Sequence, residues 1–192
     1  MVNKKKVVLF IVIIILIVVA LSIGYFLFGS SYGKSNLEKV VINNPMLEII
    51  GMNTDESGNV DTETVVNEGI INFDENYIKY IILSMGASKL HSSVIYGKAK
   101  LELVLDDEVW GVEIDRGMSV SKSLIEDPDL RIVMTKREAV LALLSSDIKK
   151  YMKDSVSNKN TGIEMISGKV ELFSKGYLDM YKELTGEEIE VE

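Results

Sequence analysis

Few side chains in this 192-residue chain have the types and spacing that catalysis or metal binding demands. It has no cysteine and one histidine, His91. Thiolate catalysis, disulfides, Cys-ligated zinc and multi-histidine metal sites are therefore excluded. His91 sits in SKLHSS without a nucleophile or metal partner nearby, and it reads as a loop histidine. The nearest approach to a cation site is segment 53–64, NTDESGNVDTET. It has oxygen-bearing side chains at positions 1, 3, 5 and 9, Gly58 at 6 and Val60 at 8, the spacing of a calcium loop. Asn53 replaces the first aspartate, however, and Thr64 stands where the bidentate acid belongs. A polar turn without metal is expected. Carboxylates are plentiful, but no pair stands apart as acid and base. The chain is read as not an enzyme, with no catalytic residue, metal or cofactor.

What remains is apolar. Val140, Leu143, Leu144, Ile148 and Met152 recur at helical spacing, and so do Tyr177, Met180, Tyr181 and Leu184. If these stripes cover a sheet incompletely, they line a pocket for an acyl chain or similar ligand. Methionine and tyrosine suit such walls. If the cover is complete, the same residues are a filled core.

The sheet beneath them is predicted from alternation. Segment 98–105 puts Ala99, Leu101, Leu103 and Leu105 on one face, and 109–114 does the same with Trp110, Val112 and Ile114. Further strands are predicted at 118–124 and 130–134. Short turns between them imply an antiparallel meander. Leu101, Leu103, Trp110, Val112, Ile132 and Leu172 form its apolar face. One helix is predicted from Asn72, with Glu75 as its capping partner, through Ile78, Ile81, Ile82 and Met85 to a stop at Gly86. A second starts from the capping box Thr135/Glu138 and runs to about 153. Segment 37–50 is ambiguous, with a short strand at 46–50 after Pro45. Residues 154–162 read as a polar loop, and 163–173 as strand pieces around a bulge at Gly168. A last helix at 177–184 closes at Gly186. The fold class is α+β, one mainly antiparallel sheet covered by helices on one face.

Several segments resemble the sterol carrier protein 2 (SCP2) family of lipid-binding domains over about 98–184. They are KAKLELVL and EVWGVEID with the Arg116-Gly117 turn, Pro128-Asp129 before LRIVMT and KREAVLALLSSDI, and ISGKVELFSKGYLDMYKEL. In the last of these the resemblance makes Gly168-Lys169 the opening of the final strand. It implies a lipid cavity lined by the two stripes named above. The chain departs from the family at Ser145-Ser146-Asp147, where a glycine is usual, and in the long loop 154–162.

Residues 7–28, VVLFIVIIILIVVALSIGYFLF, carry no charge and follow Lys4, Lys5 and Lys6. About 22 helical residues span roughly 33 Å, so a transmembrane helix is expected. The lysines place residues 1–6 in the cytoplasm and the domain outside it. A cleaved signal peptide ending near Ala20-Leu21-Ser22 is the rival. Residues 29–36 read as a tether, 37–186 as the SCP2-like domain and 187–192 as an acidic tail. Three of the 21 basic residues precede position 28 and all 29 acidic residues follow it, so the domain is more acidic than the chain's net −8. Nucleic acid is therefore not an expected partner. The expected function is a single-pass, membrane-anchored, extracytoplasmic domain, with the lipid bilayer as partner, that holds a lipid or other apolar ligand. The alternative is a structural or adaptor protein of the cell envelope, with a closed core and a protein partner.

Overall fold

The computed structural model describes residues 13–19, 37 and 41–188. The chain divides into two units, Met1–Tyr32 and Gly33–Glu192. In the first unit residues 13–19 are helical. Such a helix rises about 10 Å, against a hydrocarbon core of about 30 Å. The rest of the 7–28 run, the 29–36 tether and residues 189–192 lie outside the described residues. Among the described residues no helix is long and apolar enough to cross a membrane. This overturns the expected transmembrane signal-anchor. The single-pass placement, with a cytoplasmic N-terminus and an extracytoplasmic domain, falls with it.

The second unit is α+β. Three helices come first: α1 (Leu47–Met52), α2 (Thr62–Ile71) and α3 (Glu75–Ser84), followed by a 3-10 turn at Ala87–Lys89. Strands β1 (Ala99–Leu105), β2 (Glu108–Ile114), β3 (Met118–Ser121) and β4 (Leu130–Met134) come next. Helices α4 (Lys136–Leu144) and α5 (Ile148–Ser157), strand β5 (Gly162–Met165), and helices α6 (Lys169–Ser174) and α7 (Tyr177–Thr185) complete it.

The sheet order is β3-β2-β1-β4-β5, with β5 at an edge. The expected meander holds for β1, β2 and β3, but β4 lies beside β1 and parallel to it, so the sheet is mixed. Residues 122–129 must therefore cross β2 and β1. They do so over Gly111, where a Cβ would stand 3.1 Å from both Ile125 Cβ and the Ser123 carbonyl. The missing side chain makes room for the crossing strap. Glu102, on the same open face, accepts from the Ile125 N–H at 3.4 Å and is buried.

The other face carries Ala99, Leu101, Leu103 and Leu105 of β1, Trp110, Val112 and Ile114 of β2, and Leu130, Ile132 and Met134 of β4. These pack in one cluster with Val65, Ile78, Ile81, Ile82, Val140, Leu143, Met152, Leu172 and Met180 from the helices. Alternation in the strands and 3.6-residue spacing in the helices meet in this layer.

Several predicted elements change type or extent. The strand expected at 46–50 is instead the N-cap Met46 and the start of helix Leu47–Met52, and Asn44 Oδ1 accepts from the Met46 N–H where the chain turns at Pro45. Met46 and Ile49, three apart, then face the core. The N-cap of α3 is Asp74, which accepts from the Asn76 and Tyr77 N–H groups, while Asn72 ends α2. Strand β3 stops at Ser121, short of 124. Half of the expected capping box forms: the Thr135 hydroxyl accepts from the Glu138 N–H, while the Glu138 carboxylate turns to accept from the Ser155 hydroxyl. The long helix behind it breaks at Ser145, and Asp147 caps a new one by accepting from the Lys150 N–H. That helix runs to Ser157, through half of the expected loop. Gly168 is no bulge but the N-cap of α6, so the strand that the SCP2 resemblance placed there is helix. The ladder ends where the Ile166 and Ser167 N–H groups both donate to the Asp129 carbonyl.

Candidate functional site

The nine apolar candidates come together, but within the packed layer. Val140, Leu143, Met152, Tyr177, Met180 and Leu184 are at most 2% exposed, and Ile148 is buried as well. Leu144 and Tyr181 are half-buried. The described surface groove lies elsewhere. It is open, about 270 Å³, and lined by Val41, Ile42, Tyr80, Leu83 and Ser84.

Beneath the C-terminal helices sits a polar cluster built around Asp129, which is 1% exposed. Its Oδ1 accepts from Lys175 Nζ at 2.7 Å and from the Ser167 hydroxyl at 3.0 Å. Its Oδ2 accepts from the Lys100 N–H at 2.8 Å and from the Tyr177 hydroxyl at 3.1 Å. Lys175, 2% exposed, also donates to Glu171 Oε1 at 2.7 Å. Burial lifts the Tyr177 phenol well above its ordinary value and Asp129 adds to the shift, so the phenol stays a neutral donor. Lysine, tyrosine and carboxylate together have the types of an acid–base site, but each is enclosed and already partnered. The Asp129 backbone closes the set: its N–H donates to the Lys100 carbonyl, and its carbonyl receives the end of β5. One residue thus ties β1, the end of β5, α6 and α7 together.

That tie positions an uncovered apolar edge. Ile163 stands opposite Ile132 and Met165 opposite Leu130, so both point to the helix-covered face. Yet Met165 is 37% exposed, Ile166 46%, Val170 49% and Phe173 59%, while Leu172 between the last two is buried. The core layer runs out to the sheet edge and stops uncovered. On the opposite face Glu164 pairs with Arg131 Nη1 at 3.2 Å. Arg131 gives Glu102 both Nε and Nη2 at 2.9 Å. One guanidinium thus serves two carboxylates. Glu102 is 2% exposed and Glu164 is 56% exposed, so the excess negative charge lies at the edge.

The calcium-like spacing of 53–64 is used internally. Asp55 accepts from the Ser57 and Asn59 N–H groups and from Asn59 Nδ2. Asp61 caps α2 through the Thr64 N–H and hydroxyl. These bonds hold both carboxyls below their usual range, with Asn59 and Thr64 as the main causes. His91 Nδ1 lies 3.0 Å from the Lys89 carbonyl, and the His91 backbone N–H donates to the Lys175 carbonyl. Among the described residues, the buried Trp110 Nε1 has no hydrogen-bond partner.

Sequence reasoning reached neither the Asp129 cluster nor the edge. Pro128-Asp129 reads in the sequence as a turn and as part of the SCP2 resemblance, and the residues that fill the Asp129 acceptors lie 29 to 48 positions away. The chain matches no family model and no curated protein.

Proposed function

We propose that this domain is a non-enzymatic adaptor that docks a protein partner along the β5–α6 edge. The observation that carries the reading is the exposed group Met165, Ile166, Val170 and Phe173, set beside a core in which seven of the nine candidate pocket residues are buried and Leu144 and Tyr181 are half-buried. Met165 and Ile166 are adjacent at the end of β5 and Val170 and Phe173 lie three apart on α6, and exposed apolar side chains gathered in this way mark interaction surfaces, whereas single scattered ones do not. The test is a photo-crosslinking residue at position 173 in cells, with position 124 as control. Leu124 is apolar and more exposed still, at 75%, but lies on the crossing strap. Crosslinks to a protein at 173 and not at 124, lost when Ile166 becomes Lys, are expected. Equal crosslinking at both positions, or none at 173, contradicts the reading.

A second reading, an SCP2-like domain that holds an apolar ligand, draws support from element order. Four strands, the capped helix, a strand and a final helix occur in that order, although the capped helix is broken at Ser145 and the segment after Gly168 is helix. Fold analogy is a weak warrant for function. The ligand would have to displace Met180 and Leu184, so this reading requires α7 to lift. Mass spectrometry of the native purified chain tests it: a copurifying lipid supports it and its absence counts against it.

A further inference from the structure

We infer that the occupant of the β5 edge is an extended peptide segment that adds as a further strand and alternates apolar with basic side chains. The inference rests on the adaptor reading and specifies its partner.

Main-chain geometry sets the mode. The Ile166 N–H donates to the Asp129 carbonyl one step past the Leu130/Met165 pair of the β4–β5 register, while the Met134 carbonyl turns to the other side and accepts from the Asp106 N–H, so Arg131 and Val133 are the β4 residues that bond towards β5. Hydrogen-bonded pairs in an antiparallel ladder alternate, so Glu164 and Gly162 also bond inward to β4. The main-chain groups of Ile163 and Met165 therefore face the free edge, a ready template for another strand.

Side chains set the chemistry. A residue opposite Met165 or Ile163 projects onto the helix-covered face, where it extends the apolar layer. The residue between them, opposite Glu164, projects onto the other face. There Arg131 is already shared between Glu102 and Glu164, and a second cation would complete the pairing. Opposite Gly162 a bulky residue meets no side chain. The pattern read by this edge is apolar–basic–apolar. A second copy of the chain fits less well, since its own β5 brings Glu164 and no cation, and each chain carries net −8.

The probes are two labelled heptapeptides, one alternating valine with lysine and one alternating valine with glutamate, titrated against the full chain by fluorescence anisotropy. The lysine peptide is expected to bind roughly tenfold or more tightly than the glutamate peptide. Glu164→Gln should remove most of that preference while keeping some binding. Met165→Pro should abolish binding, because it deletes an edge N–H that the fold itself does not use. Amide exchange on the wild type provides the check should that variant misfold. The Ile163 and Met165 amides should exchange fast in the free chain and become protected by the lysine peptide.

Equal affinity for both peptides overturns the charge assignment. Protection elsewhere, with these two amides unchanged, overturns strand addition. A concentration-dependent dimer that protects the same amides makes a second copy the occupant and also overturns the inference. If neither peptide binds while crosslinking at 173 persists, the inference fails and the adaptor reading survives.

Discussion

Asp129 shows what a single residue controls here. A buried carboxylate is tolerated only when charge and hydrogen bonds compensate it, and all four of its donors are in place. Removing one partner of a buried ion pair typically costs about 3–5 kcal/mol, because the other charge is left stranded. Asp129→Ala should lose stability on that order, since it leaves the buried Lys175 with Glu171 alone, takes the acceptor from the Lys100 N–H, Ser167 and Tyr177, and unties β5, α6 and α7 together. Lys175→Met should cost clearly less. It leaves Asp129 with the Lys100 N–H, Ser167 and Tyr177, and leaves Glu171 partly in solvent. Urea unfolding of the two variants checks the order, and equal or reversed losses would refute the account of the cluster. Local residue roles were legible in the sequence where their partners were also local, as at the Thr135/Glu138 cap. Asp129 was not legible, because what defines it is brought in by strand pairing and by two later helices.

Among the elements, strands β1, β2 and β4 and helices α3, α4 and α7 were legible from periodicity. Their neighbours in space were not. Alternation tells which face of a strand is buried but not which strand lies beside it. The crossing strap that places β4 next to β1 depends on Gly111, a position with no pattern of its own. Segment 163–173 reads as strand pieces around Gly168, whereas past Gly168 the chain is helical and the residues that turn inward are Leu172 and Lys175, three apart. A lysine does not advertise a core position.

Helix α7 is fastened partly by charge, since Glu183 pairs with Lys89 and, at 3.0 Å, with Lys149. The bond from Lys89 is the main cause that holds the Glu183 carboxyl below its ordinary 4.5, against an opposing effect of burial. A depressed carboxylate contributes stability above its unfolded value and loses it as pH falls through the folded value. Amide exchange of α7, measured relative to β1, should therefore rise as pH drops below about 4.5. That extra rise should disappear in Glu183→Gln. An unchanged pH response in the variant would show that the clamp does not hold the helix.

At the scale of the whole molecule, the α+β class and the single apolar layer were readable from the chain, and the choice between a pocket and a filled core was not. Helical stripes look the same either way, because they record which face is covered and not how completely. The packed positions of Val140, Leu143, Met152, Tyr177, Met180 and Leu184 favour the filled core, and so move the search for function to the sheet edge. The most direct measurement is the unfolding free energy of Met180→Trp against wild type. A filled core has no room for the indole, and overpacking should cost about 1–3 kcal/mol or more. Wild-type stability in Met180→Trp, together with loss of an apolar-dye binding that the wild type possesses, would mean that the interior holds a ligand cavity and would contradict the account.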